Sequence, residues 1–287
     1  MLLQTMIQST LKTTFGVTEK VAPALAERWA INLFVQPMKF KRPPREAELI
    51  QDAHREQRPF HGFYPRPAAQ AYYVTYRWGN GPVVLLVHGW AGRGSQLATF
   101  AAPLVAAGYS VLTFDAPAHG DSPSKQTNLL EVSQIIQALS HEVGGFAAII
   151  GHSFGGMAAG YAVRHGAHAQ KIVTIGSPAT MDHVLTGFGE QINASPQMVR
   201  RLTSYLETVA QQEVDNFSLA HTLATVDRPG LIIHDQQDRD VAYAQALLLH
   251  QAWPHSRLLT TNGLGHRRIL RDESIIAQVV DFVRGTV

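Results

Sequence analysis

Two rhythms of apolar positions run along the chain and change near residue 70. Before that point the spacing is helical. Leu2, Met6, Ile7 and Leu11 fall near a helical stripe, as do Val21, Leu25, Trp29 and Leu33. Residues 1 to about 37 therefore predict one or two amphipathic helices. Thr18 is positioned to cap the second, with Val21 opening its apolar face. Pro37, Pro43 and Pro44 break the pattern, and Glu46 to His54 predicts a further short helix. The apolar faces of these helices need a cover: the main core, a pocket mouth or a partner subunit.

From about residue 71 short apolar runs alternate with helical stretches. Ala71 to Trp78 is rich in β-formers and precedes Gly79-Asn80-Gly81, a hairpin signal. Val83 to Val87 is continuously apolar, as in a strand buried on both faces. Further strands are predicted at Tyr109–Phe114, Ala147–Ile150, Ile172–Ile175, Leu231–His234 and Arg257–Thr261. Helices are predicted at Gln96–Ala107, Leu129–Val143, Phe154–His165, Tyr243–Trp253 and Glu273–Val283. This alternation implies an α/β fold, a mostly parallel doubly wound sheet with helices on both faces. Residues 178 to about 226 interrupt it with no strong strand and a helical stripe of Met198, Leu202, Tyr205, Leu206 and Val209. That insertion reads as a helical cap over one sheet edge. The expected organisation is a helical extension over residues 1–66 and a main domain over 67–287.

Composition narrows the function classes. The 24 basic and 22 acidic residues leave a net charge of +2, too small for a nucleic-acid footprint. The basic run Lys39 to Arg45 soon meets Glu46 and Glu48 and reads as a linker. There is no cysteine, so disulfides and thiolate catalysis are excluded. No apolar run is long enough to span a membrane, and the N-terminus lacks signal-peptide features, so a cytoplasmic location is expected.

The densest chemical signal is Gly151-His152-Ser153-Phe154-Gly155-Gly156, between a predicted strand and a predicted helix. A serine on so sharp a turn projects its hydroxyl, and the glycines remove side chains that would clash. A hydroxyl becomes a nucleophile when a base takes its proton. Among 14 histidines, His266 lies just after the last predicted strand. In a parallel sheet it would share an edge with Ser153. The acid that orients the base must come from Asp235, Asp238 or Asp240. Asp235 reads as too close to the strand end and Asp240 as a cap for the next helix, which leaves Asp238. The backbone N–H groups of Trp90 and Phe154 are the candidate oxyanion donors. Trp90, Phe154 and Phe188 are aromatic candidates for a pocket wall or for core. His88, Asp115 and His119 lack zinc-site spacing, so no metal is expected. No glycine pattern of a nucleotide site occurs.

His88-Gly89-Trp90, Asp115 with His119-Gly120 and Ser122, the serine hexapeptide, Asp238 before Val241, and Gly265-His266 run in one order. In these pieces the chain resembles the α/β-hydrolase superfamily over roughly residues 70 to 287. The resemblance implies about eight strands, a cap after the sixth and no cofactor. It departs at residues 1–66, which match no part of that pattern, and at His234-Asp235, where such sequences commonly have His-Gly. The expected reaction is hydrolysis of a small-molecule carboxylic ester through an acyl-enzyme on Ser153, with His266 as base and Asp238 as acid. Thioester or amide hydrolysis, acyl transfer or lyase chemistry would use the same triad, and a non-catalytic binding protein would share the fold. The amphipathic N-terminal segment also allows a homodimer.

Overall fold

The computed structural model describes residues 2–286, with side-chain surroundings from residue 9 onward. The chain opens with α1 (Leu2–Val21), α2 (Pro23–Val35) and α3 (Pro44–Leu49), then β1 (His54–Pro59) and β2 (Tyr72–Trp78). After β3 (Val83–Val87), a 3-10 segment over Gly94–Phe100 runs into α4 (Ala101–Ala106). Next come β4 (Ser110–Asp115), α5 (Leu129–Val143), β5 (Ala148–His152), α6 (Phe154–Arg164) and β6 (Ile172–Ile175). Helices α7 (Met181–Ile192), α8 (Pro196–Ala210) and α9 (Leu219–Leu223) intervene before β7 (Gly230–Asp235). Then α10 (Ala244–Ala252), β8 (Ser256–Thr261), α11 (Gly265–Arg268) and α12 (Glu273–Arg284) follow.

The eight strands form one sheet in the order β1-β2-β4-β3-β5-β6-β7-β8. Strand β2 runs antiparallel to both its neighbours, and from β4 to β8 every pair is parallel. The chain steps from β3 out to β4 and then back across to β5. The ends of β3 and β5 thus flank the point where the winding reverses, where open α/β sheets leave a crevice. In β3 alternate residues enter opposite cores. Val83, Leu85 and Val87 join the helices α5, α6 and α10, while Val84 and Leu86 meet Leu97, Phe100 and Leu104. That double burial explains the unbroken apolar run.

Several expectations need correction. Thr18 lies inside α1 and returns its hydroxyl to the Thr14 carbonyl at 2.8 Å; Ala22 stands at the start of α2, with Pro23 in its first turn. Val21 and Leu25 are 76% and 59% exposed, and the buried contact of α2 runs through Ala26 and Ala30. The side-chain surroundings of Leu2, Met6 and Ile7 lie outside the described residues. The helix expected to reach His54 ends at Leu49, and His54 opens β1. That strand was not foreseen because its residues, HREQRP, show no apolar alternation. It is an edge strand, where charge and a terminal proline discourage pairing with other chains. The turn after Trp78 leads to β3 but closes no hairpin, because β2 pairs with β4.

The N-terminal helices cover α7 and α8. Phe15, Ala26 and Ala30 are buried with Ile192 and Met198. Phe34 meets Phe188 edge-on, with ring centroids 5.1 Å apart. Glu19 accepts the Ser195 N–H at 3.0 Å at the start of α8. Phe15 is fully buried in this contact, so Phe15→Ala should cost about 3–5 kcal/mol. Urea unfolding measures this; a loss under about 1 kcal/mol would contradict docking of the extension on these helices.

Candidate active site

Close-packed backbone surrounds Ser153. Strand β5 ends at His152 and α6 begins at Phe154, leaving Ser153 between them at φ 53° and ψ −123°. A non-glycine residue there costs on the order of 1–3 kcal/mol and persists only where its surroundings enforce it. The enforcement is close packing. A Cβ on Gly151 would come within 2.6 Å of the Gly156 Cα, and one on Gly155 within 2.3 Å of the Val87 carbonyl oxygen. Only glycine at both positions lets α6 settle onto the ends of β3 and β5. The Ser153 N–H donates to the Ile175 carbonyl at 2.9 Å, tying the turn to β6.

The loop after β3 lies against this turn. A Cβ on Gly89 would stand 3.1 Å from the Ser153 Cβ. The Trp90 and Phe154 side chains meet edge-on at 5.3 Å. Among the described residues neither the Trp90 nor the Phe154 backbone N–H has a hydrogen-bond acceptor. For Phe154 this follows from helix geometry, which leaves the first N–H groups of α6 unpaired. Two free donors thus flank the serine. The loop that carries Trp90 is anchored by histidines. Ala91 N–H donates to His119 Nε2 and Ala116 N–H to His88 Nε2, both at 3.0 Å. The Nδ1–H groups of these rings donate to the Pro117 and Gly89 carbonyls. Asp115 accepts the Gly94 N–H at 2.7 Å. His88 and His119 are therefore committed to backbone, and Asp115 to backbone and to the Tyr76 and Arg42 side chains. Among the described residues no group of three or more His, Asp or Glu side chains is arranged to hold a metal ion.

Asp238 and His266 form a buried pair at the ends of β7 and β8. His266 Nδ1–H donates to Asp238 Oδ2 at 2.8 Å. Their side chains are 10% and 1% exposed. An ionised carboxylate only accepts, so this bond puts the proton on Nδ1 and leaves the Nε2 lone pair free. The other carboxylate oxygen accepts the Asp240 and Val241 N–H groups at 2.8 and 2.9 Å. Burial pushes the Asp238 carboxyl up, but the bonds from His266 and these amides outweigh it and hold it below its ordinary value. A Cβ on Gly176, just past β6, would lie 3.2 Å from His266 Nδ1 and 3.3 Å from Asp238 Oδ2. The ends of β5, β6, β7 and β8 therefore line up as one row. No hydrogen bond among the described residues joins the Ser153 hydroxyl to His266. Such bonds commonly form only with substrate bound.

Two further residues support the row. His152 Nε2–H donates to the His266 carbonyl at 2.9 Å, and the two rings lie 4.6 Å apart. Burial holds the His152 ring down at about 3, aided by the neighbouring His266. Asp235 is fully buried, not idle at its strand end. It accepts the Gln237 N–H in the loop that carries Asp238 at 2.9 Å, and the Thr261 hydroxyl and Leu264 N–H in the loop that carries His266 at 2.7 and 2.9 Å. Burial opposes its ionisation, but these bonds keep the carboxyl at about 2. Asp240 caps no helix; it pairs with Arg267 at 3.7 Å, and α10 begins only at Ala244. The place of His152 inside the serine motif, and of Asp235 where glycine is common, were the signals available. Phe188 packs on Phe34.

The alpha/beta hydrolase family model matches residues 84–279. The pimeloyl-[acyl-carrier protein] methyl ester esterase of Xanthomonas campestris pv. campestris (strain B100) is 27% identical over 248 residues, covering 70% of this chain and 94% of that protein. An esterase from Pyrococcus furiosus superposes with a TM-score of 0.62 at 16% identity, over 88% of this chain and 99% of that one. The esterase EaEST from Exiguobacterium antarcticum gives 0.57 at 17% identity, over 74% and 96%. At such identities the structural likeness carries the fold alone.

Burial lowers the ring pKa of His88, His119, His152 and His234. Below about pH 6.5 the unfolded chain protonates these rings while the folded chain resists. Their contribution is thus full above about pH 6.5 and is lost as pH falls toward the depressed folded values, by up to ~1.4 kcal/mol per pH unit for each ring. Chemical denaturation should show the loss beginning near pH 6.5, above the carboxylate range; a flat profile down to about pH 4.5 would contradict it.

Proposed function

The chain belongs to the alpha/beta hydrolase family, and from that premise we propose that it is an esterase that cleaves small-molecule carboxylic esters through an acyl-enzyme on Ser153. One observation carries this reading. A serine at positive φ follows β5, and a buried aspartate–histidine pair follows β7 and β8 at the same sheet edge. The parallel strands supply the alignment, and the chain order serine, aspartate, histidine follows from it.

The chemistry proceeds from the hydrogen bonds. His266 Nε2 takes the Ser153 proton as the oxygen attacks the ester carbonyl. The imidazolium that forms is stabilised by Asp238, whose carboxylate is ionised and fixed by two amide bonds. The carbonyl oxygen becomes an oxyanion, received by the unpaired N–H groups of Trp90 and Phe154. Donors fixed in advance are worth about 2.7–4 kcal/mol each in such sites, because nothing reorganises as the charge develops. His266 then returns its proton to the leaving alcohol. Water, activated by the same ring, releases the acid and restores Ser153.

The curated relatives act on a methyl ester, which favours a small alcohol leaving group here. In this reading α7 to α9, within residues 178–226, cap the site and set the size of the acyl group. The N-terminal helices brace that cap through Phe15, Phe34 and Glu19.

Ser153→Ala should fold like the native chain, lose at least about 10⁴-fold in kcat on p-nitrophenyl esters, and resist labelling by a fluorophosphonate. Retained turnover in that variant would remove Ser153 from the mechanism. A matched panel of ester, thioester and amide substrates should rank the ester first.

A further inference from the structure

The residues that match the family begin at 84, yet a buried charge in the loop after β3 depends on residues before them. Arg93 lies three positions beyond Trp90 and is 5% exposed. Its guanidinium makes a two-pronged pair with Glu46 of α3. Nε donates to Oε2 at 2.6 Å and Nη2 to Oε1 at 3.3 Å. Its remaining nitrogen donates to the Phe40 carbonyl at 3.1 Å. Glu46 is itself 5% exposed and also accepts the Ser95 hydroxyl at 2.9 Å. Arg42 donates to that same hydroxyl at 3.3 Å and reaches Tyr76, Asp115 and Asp121. Lys39 Nζ donates to the Ser122 carbonyl at 2.6 Å. Residues 39–46 thus lie over the loop and, among the described residues, supply every partner of its buried guanidinium.

The loop needs such support. Ala91, next to Trp90, stands at φ 55°, a left-handed conformation that an alanine holds only under constraint. Its own N–H is fixed by His119 and the Gly94 N–H by Asp115, on the β4 side. On the opposite flank the constraint is Arg93, held by Glu46. A buried arginine stripped of its partner either drags its backbone toward water or leaves a charge uncompensated. Either outcome shifts the peptide that carries the Trp90 N–H. Donor placement is a steep variable, since a misplacement of about 1 Å costs up to 10²-fold in rate.

We propose that Glu46 and Arg93 are positioning residues for the reaction. The segment 39–46 clamps the oxyanion loop, so that this part of the extension is a working part of the active site. This rests on the esterase reading above.

The test compares Glu46→Gln with Glu27→Gln, using p-nitrophenyl acetate turnover normalised to active sites titrated with a fluorophosphonate. Glutamine keeps the shape of Glu46 but turns an N–H group toward the guanidinium. Glu27→Gln breaks the half-buried pair with Arg201 at 3.3 Å, a contact between the extension and α8 that includes no residue of the loop. For Glu46→Gln, kcat per titrated site should fall at least about tenfold while KM stays within about threefold. Arg93→Lys, which keeps the charge but loses the fork, should fall in the same direction. Glu27→Gln should keep native kcat. If Glu46→Gln matches the native kcat per site, even with a lower melting temperature, the pair is merely structural and the proposal is overturned. If the native chain neither labels nor turns over, the esterase reading falls and the clamp falls with it.

Discussion

The structure depends on a contact with no room for a side chain. Helix α6 rests on the ends of β3 and β5 through Gly151 and Gly155, where a single added carbon would meet backbone at 2.6 and 2.3 Å. That closeness forces Ser153 into a conformation it would not choose. It also brings the free end of α6, with the unpaired Phe154 N–H, beside the loop that carries Trp90. Serine strain, helix end and the Trp90 loop are one packing solution. Larger residues at the two motif glycines would separate all three together.

Around this contact the polar groups behave as scaffolding for loops. Asp235 bonds the Asp238 loop to the His266 loop. His152 holds the carbonyl of His266. His88, His119 and Asp115 secure the Trp90 loop from the β4 side, and Arg93 secures it toward the N-terminal segment. Each is buried, and a buried polar group without a partner is costly. Satisfying these groups therefore fixes the loops as firmly as apolar packing fixes the strands. The site sits on rigid strand ends, and the connecting loops are immobilised by bonds that the apolar pattern does not reveal.

This division explains what could be read from the chain alone. Strands such as Val83–Val87 and Ile172–Ile175 were legible because burial on both faces demands an unbroken apolar run. The placing of Ser153 and His266 at one sheet edge was legible because parallel strands deliver their following residues to one edge. Strand β1 was hidden, since an edge strand of HREQRP has no apolar face to display. The partner of the N-terminal helices was hidden for a different reason. A helical stripe says that a face is covered and not by what, and the contact here uses the small Ala26 and Ala30 more than Val21 and Leu25. Asp235 lies at a strand end, a position that lets one carboxylate reach both loops and that no local pattern marks. Glu46 and Arg93 are 47 positions apart, and no local spacing links them.

The most direct measurement uses p-nitrophenyl dimethylcarbamate, whose carbamoyl-enzyme releases slowly. Nitrophenolate release is counted against chains, and the modified protein is mapped by peptide mass spectrometry. The account predicts stoichiometric release and a carbamoyl group on the peptide containing Ser153. A carbamoyl group on any other residue, or an esterase-active chain that takes up none, would contradict it.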